Sequence, residues 1–163
     1  MPPAYLVLDP RTRRDVLDLV RAVLWADGEL ADRELGLARG AAVALGLVLP
    51  ADGTAFSPAR GPSPLRPGAF SQAGLRERML AYAVAAFTAL ADGRVDAREA
   101  AYLVSLRARL GLSESAVSLL TGHARWALST RSPAEPWHRT FDRLVLEGAR
   151  RVDSVLAHQR RAA

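Results

Sequence analysis

The residues with the most chemical potential in this chain are acids that recur in a pattern. Asp27-Gly28-Glu29-Leu30-Ala31-Asp32-Arg33-Glu34 and Asp92-Gly93-Arg94-Val95-Asp96-Ala97-Arg98-Glu99 match at one constant offset, each with an Asp-Gly pair, an aliphatic residue two positions later and a Glu seven positions after the Asp. Carboxylate oxygens at this spacing suit a hard divalent cation such as calcium. Asp-Gly-x-aliphatic-x-x-x-Glu has the order of the second half of an EF-hand loop, in which an oxygen ligand, a tight-turn Gly, a backbone carbonyl, an aliphatic residue and a bidentate Glu follow one another. The candidate metal ligands are therefore Asp27, Glu34, Asp92 and Glu99, with Glu29 and Asp96 as extras. A complete EF-hand is not expected, because its first and third loop positions would be Val23 and Trp25 in one copy and Thr88 and Leu90 in the other. The same acids also have a purely structural use. Carboxylates at helix starts accept hydrogen bonds from amides that have no partner in the helix, and Asp96-Ala97-Arg98-Glu99 has capping-box spacing.

The elements that position these turns repeat with them. Ala26 matches Ala91 before the turn, and Leu45-Gly46-Leu47 matches Leu110-Gly111-Leu112 after it, so the duplicated unit is a helical hairpin. Asp9 as N-cap and Pro10 at the first helical position start a helix with a stripe of Val16, Val20, Val23 and Leu24. A second helix from about Asp32 carries Leu35, Ala38, Ala42 and Leu45, and Gly46 is placed to close it in the left-handed conformation. From 48 to 70 five prolines and three glycines exclude a helix or central strand, which predicts a loop inserted between the repeats. The second hairpin opens near Ser71, Ser113 caps a fifth helix, and Ser132-Pro133-Ala134-Glu135 reads as a capping box before a long final helix with Trp137, Phe141, Leu144, Val145, Val152 and Val155 on its stripe. The expectation is one all-α domain over 1–163, two pseudo-repeated hairpins plus C-terminal helices, about six to seven helices in all.

Composition agrees with that class and narrows the function. Half of the 163 residues are apolar, with Ala and Leu dominant. The formal charge is +5, yet all 22 basic residues are Arg and Lys is absent, so ordinary surface positions account for much of it. Absence of Cys excludes disulfides, thiolate metal sites and thiol redox chemistry. The first residues lack the basic region of a signal peptide, and the longest uncharged apolar stretch, Met79 to Ala91, is too short for the roughly 20 residues of a membrane span. A cytoplasmic protein without a transmembrane segment is expected. His123, His138 and His158 have no metal-motif context, and no nucleophile elbow or phosphate loop is present, so no enzyme is expected.

Two hairpins with Ala-Asp-Gly turns, a Glu seven residues on and a Leu-Gly-Leu exit resemble the TerB-like domain, named for tellurite-resistance proteins and also found at the N-terminus of a membrane-anchored DnaJ-type co-chaperone. The resemblance covers Asp9 to about Arg131 without the Pro-rich loop. It implies a helical domain whose acidic turns bind divalent metal and which works in stress-response assemblies near the membrane, by peripheral association. The long insertion and the Arg-rich last helix depart from the family pattern. On these grounds the expected function is a non-enzymatic module that binds a protein partner, a second copy included, with a divalent cation at the acidic turns. The alternative is a nucleic-acid-binding domain using Arg139, Arg143, Arg150, Arg151, Arg160 and Arg161, of which 139, 143 and 150 fall near one helical face.

Overall fold

Capping residues explain several of the helix boundaries in the computed structural model, which describes residues 3–26, 32–49, 65–93 and 95–162. After a 3-10 turn at Ala4–Leu6, six α-helices follow: α1 Pro10–Leu24, α2 Asp32–Ala44, α3 Leu75–Leu90, α4 Ala97–Leu110, α5 Glu114–Ser129 and α6 Trp137–Ala162. No strand occurs among the described residues. Asp9 accepts hydrogen bonds from the Arg11 and Thr12 amides with Pro10 at the start of α1, and Ser113 accepts from the Ala116 amide at the start of α5. The two repeats end alike. Gly46 and Gly111 take φ of 63° and 62°, a left-handed conformation that Gly alone adopts cheaply, and the next amide reaches back into the helix, Leu47 to Ala42 at 2.9 Å and Leu112 to Arg107 at 3.2 Å.

Two boundaries differ from the sequence reading. The second hairpin begins at Leu75 behind Gly74, because residues 67–72 turn first, with Gly68 at φ 79° and the buried Phe70 at φ 62°. This turn is held from both sides. The Asp15 carboxylate, 3% exposed on α1, accepts the Phe70 amide at 3.0 Å and Arg66 Nη2 at 2.9 Å, while Arg109 of α4 donates to the Leu65 carbonyl at 3.3 Å. Ser132–Glu135 forms a turn instead of a capping box, closed by the Glu135 amide on the Ser132 carbonyl at 2.9 Å. Glu135 is drawn away from capping by Arg143, two turns into α6, whose terminal nitrogens donate to it at 2.8 and 2.9 Å. That charge-assisted pair holds the Glu135 carboxyl below its ordinary pKa.

The core centres on α3, which is buried continuously from Met79 to Ala89 and contacts α1, α4, α5 and α6. A helix covered on all sides is apolar all round, and the five alanines of this stretch let its neighbours approach closely. The last helix, α6, packs against α2, α3 and α5, so it joins the first repeat to the second. At that joint Phe87 meets the edges of Phe141 and Trp137, with ring centroids 5.1 and 6.1 Å away.

His123 is 2% exposed on the inner face of α5, where its Nε2 lies 2.8 Å from the Leu144 carbonyl of α6. That contact makes Nε2 the protonated nitrogen and leaves Nδ1 buried with no hydrogen-bond partner. Burial is the largest influence and pushes the imidazole pKa down. Arg151 lowers it further, while the Leu144 hydrogen bond and Glu147 act in the opposite direction. A histidine whose folded pKa lies below its unfolded value costs stability as pH falls, because the unfolded chain takes up the proton first. The expected result is a stability that declines as pH drops from about 6.5, with a slope of at most about 1.4 kcal/mol per pH unit for this one proton. Denaturant titrations at pH 7.5, 6.5 and 5.5 check this. The His123→Phe variant should lose the slope whatever its absolute stability, and a slope retained there would assign the effect elsewhere.

Candidate metal centre between the repeated turns

Packing of α1 on α3 sets the two hairpins side by side, with the start of α2 near the turn after α3. Three of the six candidate ligands border one narrow cleft there. Glu34 comes from the first turn of α2, Asp92 from the turn after α3 and Glu99 from the first turn of α4, around an apolar floor of Leu24, Leu37 and Ala91. Glu34 and Glu99 are equivalent positions of the two repeats. Asp92 is carried out of α3 by a turn in which the Gly93 amide donates to the Leu90 carbonyl at 3.0 Å, with Gly93 at φ 87°. Asp27 and Glu29 lie outside the described residues.

The capping use of these acids is also realised. Asp96 accepts from the Arg98 and Glu99 amides at 2.6 and 2.9 Å, and Glu99 Oε2 accepts from the Asp96 amide at 3.0 Å, which completes the capping box that the spacing indicates. Asp96 is thus turned to its own helix, while Glu99 serves the cap and borders the cleft. Among the described residues no three His, Asp or Glu side chains converge closely enough to hold a metal ion. The hydroxyl of Thr88, at the EF-hand first position, donates to the Val84 carbonyl of its own helix at 2.8 Å, and Trp25 is buried.

On its other side the Asp92-Gly93 turn borders a wider open groove of about 680 Å³, walled by Leu128, Ser129, Arg131, Pro133 and Trp137. The Arg131 guanidinium lies 3.9 Å above the Trp137 ring, a cation–π contact, and donates to the Glu135 carbonyl at 2.8 Å. Nothing in the local sequence signals this pairing, since it depends on the 132–135 turn bringing Arg131 back over the start of α6.

The arginines of the last helix are mostly engaged within the fold. Arg143 is paired to Glu135, Arg150 lies 2.7 Å from Glu147, Arg151 sits 5.4 Å from the Trp126 ring and Arg160 donates to the Leu156 carbonyl. The 139, 143 and 150 face therefore carries less unmatched charge than its sequence suggests. No described helix is long and apolar enough to cross a membrane. Comparison of the chain with protein-family models, with curated proteins and with solved structures gave no match in any of the three.

Proposed function

We propose that this chain is a non-catalytic helical module of the TerB-like kind, which takes up a divalent cation such as calcium between its repeated turns and presents the surface so ordered to a protein partner. One observation carries the reading: Glu34 and Glu99, equivalent in the two repeats, border the same narrow cleft together with Asp92, and their carboxylates have to draw together to hold an ion there. Hard oxygen ligands drawn from two hairpins make a site whose occupancy ties those hairpins together, so the cation acts as a clamp between repeats. The resemblance implies a role in stress-response assemblies near the membrane, to which this reading adds a cytoplasmic location and a protein partner that includes a second copy of the chain. Without Cys, a tellurite-related role excludes direct thiol reduction of the oxyanion.

Terbium luminescence sensitised by tryptophan tests the proposal, since Trp25 precedes the first turn and Trp137 lines the groove beside the second. The expected result is saturable emission that calcium displaces and that falls at least tenfold in affinity in Glu34→Gln and Glu99→Gln. Emission no higher than a blank, with a melting temperature indifferent to chelator, would leave the acids as helix caps alone. A partner captured with calcium and released by chelator would complete the reading.

A further inference from the structure

A second, basic cavity lies on the opposite functional footing from the acidic turns. Ahead of α3, the turn at 67–69 and the first turns of α1 enclose a space of about 430 Å³ lined by Arg11, Arg14, Asp15 and Arg66. This volume falls within the roughly 300–1,000 Å³ range of small-molecule sites.

The charges around it do not balance. Asp15, nearly buried, and Asp18 both direct their carboxylates at Arg66, at 2.9 Å to Nη2 and 3.2 Å to Nε, so this guanidinium is fixed in orientation although 62% exposed. Asp18 also lies 3.9 Å from Arg21. The nearby Asp9 carboxylate is taken up by the Arg11 and Thr12 amides and the Thr12 hydroxyl. The Arg11 guanidinium donates only to the neutral Gln72 side chain, at 2.5 Å, and the Arg14 guanidinium has no hydrogen-bond or ion-pair partner among the described residues. The three guanidiniums exceed the two carboxylates on Arg66 by one charge, and Arg11 and Arg14 have no matching anion of their own. Converging like charges are unfavourable without one, and a concave site with low-dielectric walls concentrates their field on whatever enters. One wall is tied to α1, because Asp15 holds both Arg66 and the Phe70 amide of the turn.

We propose that this cavity binds a phosphate monoester, with Arg11 and Arg14 as the mobile donors and Arg66 as the fixed one. Arginine forks match the oxygen geometry of phosphate bidentately, and Arg11 and Arg14 bring guanidinium donors that no carboxylate of the fold takes up. The assignment is independent of the cation reading of the acidic turns.

Calorimetric titration of the full chain with inorganic phosphate, at ionic strength held constant with sodium chloride, tests it. The expected result is saturable 1:1 binding that weakens at least tenfold in Arg14→Gln and again in the Arg11→Gln/Arg14→Gln double variant, and is unchanged in Arg160→Gln. The Arg11 and Arg14 side chains are solvent-facing, so these variants should melt as the parent does. Glycerol phosphate and phosphatidylcholine vesicles with and without phosphatidic acid then distinguish the sources: competition by the soluble ester assigns a free metabolite, and retention only on phosphatidic acid vesicles assigns a headgroup. A heat indistinguishable from chloride dilution, or binding that survives the double variant, would overturn the proposal.

Discussion

Phe87→Ala is expected to remove about 3–5 kcal/mol of stability, the usual cost of deleting a fully buried aromatic side chain. Phe87 is 0% exposed and touches the edges of both Phe141 and Trp137, so truncation removes apolar burial and two edge-to-face contacts together. In a domain of this size each kcal/mol shifts the midpoint by about 2–4 °C, which gives a fall of roughly 6–20 °C by calorimetry. Phe87→Leu should recover more than half of the loss, because it restores volume without the ring edges. A loss under about 1 kcal/mol for the Ala variant would mean that α3 and α6 do not meet there as described.

Gly40→Ala and Gly36→Ala should move stability in opposite directions, although the two residues lie one turn apart on α2. A Cβ on Gly40 would overlap Trp137 Cβ and sit 2.9 Å from the His138 backbone nitrogen. Neither atom is the free end of a flexible side chain, so α2 and α6 must part. Overpacking of this kind costs about 1–3 kcal/mol and outweighs the gain in helix propensity. At Gly36 the nearest atoms are 3.7 and 3.8 Å away on the Trp137 ring, an ordinary contact, and the propensity gain of up to about 1 kcal/mol stands alone. Urea titration resolves the signs. The Gly40 variant should also change Trp137 emission, because the parting displaces the indole that walls the groove beside Asp92.

Features stated within a few residues were legible in the sequence. Asp9-Pro10, Ser113, the Asp96/Glu99 box and the two closing glycines each act on amides or torsions in their own turn, and all stand where their spacing puts them. What escaped depends on partners far along the chain. Asp15 carries no local signal of burial and is nonetheless buried, because residues 66 and 70 supply its donors. Ser132–Glu135 has capping spacing, but Arg143 competes for the carboxylate. His123 falls on the inner face of α5, and only the arrival of the Leu144 carbonyl makes that burial tolerable. For the candidate site, the repeat marked the acids, yet their distribution between cap and cleft required the packing of one hairpin on the other.

The position of α3 at the centre also bears on how the protein is made. Of the four helices that cover it, only α1 precedes it; α4, α5 and α6 emerge from the ribosome afterwards. At a synthesis rate of about 5–20 residues per second, the roughly 70 residues after Leu90 take ~4–15 s to appear, and for that interval the nascent chain carries its most apolar segment without most of its cover. The alanines at 81, 83, 85, 86 and 89 reduce what such a segment can adhere to, since each offers little surface. A composition suited to close packing in the finished molecule is therefore also a protection during its birth, when a leucine-rich helix in the same place would recruit chaperones or neighbouring nascent chains.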